Sequence, residues 1–185
     1  KSGLRQLQII NALNFALENN ELYLVFQPQI DIASGAVVAV EVLLRWHSET
    51  LGNVSPAEFI PIAEESGAII EISNWVFDQV CADTLKWRKQ CCPNLQISIN
   101  TSPSHYFSRD PNIMEWLQVL LDKGLPPNAV LLEITENLLM DANSHVTKKL
   151  FQFRQAGVGI ALDDFGTGFS SISYLKKFPT DFIKI

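Results

Sequence analysis

Apolar residues recur at helical spacing over residues 4–19 and then give way to the extended run "LYLVFQPQID", which predicts an opening helix and a first strand. Ser34-Gly35 marks a short turn into "AVVAVEVLLRW", so the first two strands are expected to pair antiparallel. The rhythm then changes. "SPAEFIPIAEESG" places Ser55 at an N-cap, Pro56 at the first helical position and Gly67 as a stop, and a second amphipathic helix is predicted from about Ile69 to Lys89.

From there strand and helix alternate. "LQISIN" (95–100), "AVLLEITE" (129–136), "VGIALDD" (158–164) and "DFIKI" (181–185) read as strands, separated by helices over Met114–Lys123, His145–Gln155 and Ser171–Lys177. Helix-separated strands predict a parallel sheet with right-handed crossovers. A strand about every 30 residues matches the repeat of a (β/α)₈ barrel. The expected fold class is therefore α/β, a single domain over residues 1–185 built as a TIM-like barrel. Six strands are read where closure takes about eight. Because the sequence opens on Lys1 and stops in mid-strand at Ile185, it is expected to be an excerpt whose last strands are missing.

Composition narrows the function. Apolar residues make up 47 % and charged ones 18 %, a globular profile rather than a disordered one. No apolar run reaches the roughly 18 residues of a membrane span, and no signal peptide is visible. Cys81, Cys91 and Cys92 are odd in number and lack a Cys-x-x-Cys spacing, which points to a reducing compartment and away from a disulfide framework or a zinc site. A net charge of −6 without a basic stripe excludes polymeric nucleic acid as a partner, but leaves open a small anion held through metal ions.

The candidate chemistry gathers at the strand ends, where an α/β barrel keeps its active site. Those ends carry Asn100, Glu133 with Glu136, Asp163 with Asp164, and Lys184. Glu41 and Arg45 share one face of the second strand, with Leu43 between them. Carboxylates with an amide suit a hard cation such as Mg²⁺ or Mn²⁺. Each piece also has a plainer reading. Glu41 can pair with Arg45, Asn100 can cap a helix or an Asx-turn, "EITEN" can run into an exposed turn, and Lys184 can snorkel at the surface. "DDFGTG" fits such a reading least, because two adjacent acids after a buried strand call for a cation. His47, His105 and His145 fit no metal spacing and read as surface or capping residues.

"FQPQID", "EVLLRW", "SPAEFIPIAEESG", "ISIN", "LLEITEN", "LDDFGTGFSSISYLKKFP" and "DFIKI", in this order, resemble the EAL family of cyclic-di-GMP phosphodiesterases, with Glu41-Val42-Leu43 in place of Glu-Ala-Leu. The resemblance implies a barrel whose first strand is antiparallel and a two-metal hydrolysis of cyclic-di-GMP to linear pGpG with Mg²⁺ or Mn²⁺. It implies metal ligation by Glu41, Asn100, Glu133 and Asp163, with Asp164 on a second ion. Lys184 matches the lysine that orients or activates the attacking water, and Gln27, Leu43 and Arg45 match positions that hold the dinucleotide. Glu136 matches a catalytically required glutamate that steadies the loop Phe165–Ser171, which couples metal occupancy to homodimer contacts. Within the family a further metal-binding aspartate falls one position after Ile185, and a later glutamate and glutamine fall in the last strands. A bacterial cytoplasmic setting is implied, free or tethered to a membrane sensor. Two alternatives keep their place: a receptor that binds cyclic-di-GMP without turnover, and a structural dimerisation module.

Overall fold

Alternation along the second strand decides the architecture. In β2 (Val37–Ser48), Val40, Val42 and Trp46 are buried toward the helices, so Ala39, Glu41, Leu43 and Arg45 must face the other way. The computed structural model describes residues 2–107, 112–140, 143–163, 178 and 180–184. It opens with α1 (Ser2–Ala16) and β1 (Leu22–Ile30), which pairs antiparallel with β2 and brings Gln27 opposite Glu41. The turn between them is built by Asp31, whose Oδ1 accepts from the Ser34 backbone N–H at 2.8 Å and hydroxyl at 2.6 Å. Gly35 supplies the left-handed backbone that closes the turn, at φ 71°. The ladder shifts register between Gln29 and Ile30.

A short β3 (Gly52–Val54) folds back on β2 before α2 (Pro56–Ser66) and α3 (Ile69–Gln90). Ser55 holds the expected N-cap position in extended backbone but makes no side-chain cap bond, and Gly67 ends α2 in the left-handed region. Next come β4 (Gln96–Asn100), α4 (Pro103–Phe107), α5 (Asn112–Asp122), a 3₁₀ turn at Pro127–Ala129, and β5 (Val130–Thr135). The remaining elements are α6 (Glu136–Met140), α7 (Ser144–Gln155), β6 (Gly159–Asp163) and β7 (Phe182–Ile183). The helix expected over Ser171–Lys177, the loop Phe165–Ser171 and Asp164 lie outside the described residues.

Among the described residues the sheet runs β1-β2-β4-β5-β6-β7, with β3 attached to β2. Along that main path every pair from β2 to β7 is parallel, while β1 and the short β3 both pair antiparallel with β2, the β1 pairing as the turn signal and the family resemblance led one to expect. The sheet curls on itself. Lys184, one residue past β7, reaches Glu41 on β2 although three strands lie between them. Outward-facing Ile97, Ile99, Leu132, Ile134, Ile160 and Leu162 form the core with Phe59, Phe77, Trp116 and Phe153 of the surrounding helices. Trp46 is the anchor of the hairpin side. Its ring meets Phe59 edge-on at 5.5 Å, and its Nε1 donates to Glu21 Oε2 at 2.9 Å, so the buried indole loses no hydrogen bond. Inside the barrel small residues keep the layer below the strand tips tight. A Cβ at Gly159 would come within 2.7 Å of the Leu131 side chain.

His105 corrects a sequence expectation. The sequence places it at the surface or in a cap, yet it is 1 % exposed in α4, with its ring beside Trp116 at 5.5 Å. Its Nδ1 faces the Ser102 carbonyl at 3.3 Å, and its Nε2 has no partner among the described residues. Burial is the largest influence on the imidazole and pushes its pKa below the ordinary 6.5; the Ser102 carbonyl works against that shift and Lys149 adds to it. The unfolded chain therefore takes up a proton near pH 6.5 that the fold refuses, so stability is full above that pH and falls as the pH drops through it. For this one group the slope cannot exceed about 1.4 kcal/mol per pH unit. Urea unfolding of the native protein and of His105→Gln between pH 5 and 8 checks this. The variant is expected to lose the extra slope, and equal slopes would refute the assignment.

Candidate active site at the strand ends

The parallel register brings the polar residues together. Asn100 sits beside Glu133 on neighbouring strands, and Thr135 beside Asp163, so the C-terminal ends of β4, β5 and β6 align at one mouth. Glu41 joins them from β2, next to Ser98 in the ladder. Lys184 is carried to the same place because its backbone N–H continues the β6–β7 ladder onto the Leu162 carbonyl at 2.8 Å.

Lys184 is the hub of this site. Its Nζ donates to Glu41 Oε2 at 2.8 Å and to Glu133 Oε1 and Oε2 at 2.8 and 2.7 Å, with Asp163 Oδ1 at 3.9 Å. Asn100 Nδ2 donates to the other oxygen of Glu41 at 3.1 Å. Burial is the largest influence on Glu133 and raises its carboxyl above the usual glutamate range, with the bonds from Lys184 pulling it back. Burial by itself would lower the Lys184 ammonium, but its bonds to Glu133 and Glu41 outweigh this and hold it above the ordinary lysine value. The Glu133 side chain is fully buried, so its two short bonds to Lys184 supply the compensation that a carboxylate in such a place requires.

The plainer readings of two residues fall away here. Glu41 is not held by Arg45, since the Arg45 guanidinium donates from Nη1 to the carbonyl of its neighbour Leu44 at 2.9 Å. Lys184 is not a surface lysine. Leu43, Arg45 and Asn100 line a cavity of about 280 Å³ beside the mouth, together with Pro56 and Ile60 of α2. Gln27 is exposed opposite Glu41 on the inner face of the hairpin. Glu136 is buried at the first residue of α6, next in line after the β5 tip. Asp164 lies outside the described residues.

Sequence reading missed the residues that brace the mouth. The Thr101 backbone N–H and hydroxyl both donate to the Glu133 carbonyl, at 3.0 and 2.7 Å, and Tyr106 meets the same hydroxyl at 3.1 Å. Ser102 donates to Glu64 Oε1 of α2 at 2.6 Å. A signal was available, because Ser102-Pro103 repeats the Ser-Pro helix start recognised at Ser55-Pro56.

Among the described residues no three His, Cys, Asp or Glu side chains stand close enough to hold a metal ion by themselves. The donor set nonetheless fits a hard cation. Three carboxylates face one ammonium, which leaves an excess of negative charge in a partly buried mouth, and oxygen donors with an amide suit Mg²⁺ or Mn²⁺.

Comparison with known proteins places this geometry in a family. The EAL domain model matches residues 10–185. The oxygen sensor protein DosP of Escherichia coli is 39 % identical over 175 residues, 94 % of this chain and 22 % of DosP. The bifunctional diguanylate cyclase/cyclic-di-GMP phosphodiesterase MucR of Pseudomonas aeruginosa is 37 % identical over 181 residues, 97 % of this chain and 26 % of MucR. The chain thus spans about a quarter of the length of these curated relatives. The structure of the PaMucR phosphodiesterase in complex with cyclic-di-GMP superposes with a TM-score of 0.88 at 35 % identity, covering 96 % of this chain and 72 % of that one. No described helix is long and apolar enough to cross a membrane. With a family model matched over nearly its whole length and a mostly parallel α/β sheet of the same architecture, this chain belongs to the EAL domain family.

Proposed function

We propose that this chain carries the catalytic face of a metal-dependent phosphodiesterase that opens cyclic-di-GMP to linear pGpG. The observation that supports this reading best is the convergence of Asn100, Glu133 and Asp163 toward the C-terminal ends of β4, β5 and β6, with Glu41 from within β2, around Lys184 just past β7. A solved relative bound to cyclic-di-GMP shares the fold closely.

Glu41, Glu133 and Asp163, with the Asn100 amide, would hold a divalent cation, and Asp164 would serve a second. Bound there, Mg²⁺ or Mn²⁺ would supply an acidified water and neutralise charge developing at phosphorus. The chain's own groups do the positioning. Lys184 directs an ammonium into the mouth, where it holds Glu41 and Glu133 and would orient the attacking water with any N–H group released from those carboxylates. Arg45, its plane fixed by the Leu44 carbonyl, offers its remaining N–H groups to a phosphate at the cavity edge. Leu43 lines the same cavity under the nucleotide, and Gln27 contributes from the facing strand. Glu136, buried where β5 passes into α6, would steady the loop that follows Asp164.

Incubating the full-length natural protein with cyclic-di-GMP and Mg²⁺ or Mn²⁺, followed by chromatography, tests the reading. Formation of pGpG that stops with a chelator is expected. Binding of the nucleotide without turnover would instead establish a receptor, and neither binding nor turnover would leave a structural dimerisation module.

A further inference from the structure

Three consecutive residues at the exit of β4 are tied to four different elements. Asn100 reaches Glu41 on β2, Thr101 reaches the Glu133 carbonyl on β5 and Tyr106 on α4, and Ser102 reaches Glu64 on α2. The directions of these bonds follow from counting protons. The Thr101 hydroxyl has one proton and gives it to the Glu133 carbonyl, so Tyr106 must donate to Thr101. The Ser102 hydroxyl gives its proton to Glu64 and accepts from the Ser104 backbone N–H at 3.2 Å, which fixes its rotamer and starts α4. A hydroxyl–carboxylate bond of 2.6 Å is charge-assisted and is the shortest contact in the set. Glu64 is therefore the outer anchor of the segment whose first residue is Asn100. It also lines the cavity that Arg45 and Asn100 share.

We propose that Glu64 is a positioning residue for the cation site. By holding Ser102, it fixes the β4 exit so that the Asn100 amide stays over Glu41 while Thr101 keeps Glu133 in register. The role rests on the metal-dependent reading of the mouth given above. In this role Glu64 acts on the cation site through Ser102.

The test uses the full-length natural protein with Glu64→Ala, Glu64→Gln, Ser102→Ala and the Glu64→Ala/Ser102→Ala double variant. Mn²⁺ affinity is read by electron paramagnetic resonance, and amide hydrogen exchange at Thr101 is read without metal. Loss of a group that orients ligands from behind weakens metal binding by about 10- to 100-fold. That range is expected for Glu64→Ala and for Ser102→Ala, with Thr101 exchange at least about tenfold faster in both. Glu64→Gln keeps an acceptor for the Ser102 hydroxyl and is expected to stay within about threefold of the unmutated protein. The double variant is expected to be no worse than either single change, because both remove one bond. Unchanged Mn²⁺ affinity in Glu64→Ala, beside an unmutated protein that binds Mn²⁺, would overturn this role alone. So would a Glu64→Gln variant as impaired as Glu64→Ala. Failure of the unmutated protein to bind Mn²⁺ would overturn the metal-dependent reading and this role with it.

Discussion

Glu41→Ala is expected to abolish turnover of cyclic-di-GMP while leaving the fold intact. Glu41 touches the mouth through two bonds, one from Lys184 at 2.8 Å and one from Asn100 at 3.1 Å. Removing it takes a carboxylate from the proposed cation site and lets the Asn100 amide swing, so two of the four oxygen-bearing groups are lost to one substitution. A fall of about 10³-fold or more in rate corresponds to about 4 kcal/mol of transition-state stabilisation. Stability should change far less, because Lys184 keeps both bonds to Glu133. Initial rates of pGpG formation and a urea titration, made side by side, check the two halves. A variant that turns over at the native rate would remove Glu41 from the chemistry.

Lys184→Met is expected to damage folding as well as catalysis. The Glu133 side chain is fully buried and draws its compensation from the Lys184 ammonium, at 2.7 and 2.8 Å. Breaking a buried pair from one side costs about 3–5 kcal/mol, since the remaining charge is stranded. Part of that loss should return when Glu133→Gln is added, because the amide can be buried neutral. Mn²⁺ should raise the unfolding temperature of Lys184→Met more than that of the native protein, a cation replacing the missing ammonium. Equal stability of the native protein and Lys184→Met in metal-free buffer would show that the ion pair does not hold β7 to the sheet.

Much of this arrangement was legible from period and punctuation alone. Ser34-Gly35 foretold the antiparallel hairpin, and the strands over residues 95–100, 129–136 and 158–164 appeared within one or two residues of their observed limits. The short pieces were missed for a physical reason. α4 and α6 have five residues each and β3 has three, too few for either hydrophobic period to repeat. The expected barrel already placed Lys184 and Glu41 at one rim, but the direct bond between them, across 143 residues of sequence, was not legible. His105 showed the limit of reading polarity as exposure. A polar residue in a five-residue helix was placed outside, and tertiary packing against Trp116 put it inside. The pattern at "EITEN" located Glu133 and Glu136 but carried nothing about Thr101, which holds the Glu133 carbonyl from just past the end of β4.

The hairpin turn at residues 31–36 bears on how such a domain tolerates insertion and deletion. Its Asp31–Ser34 bonds and the register shift at Gln29/Ile30 fix which side chain of β1 stands across from Glu41. A strand presents alternate residues to opposite faces, so gaining or losing a single residue there turns Gln27 out of the mouth and Phe26 or Pro28 into it. Substitutions that keep Asp31, Ser34 and Gly35 can drift at constant length, whereas a change of one in length rewrites the wall of the candidate site from its far end.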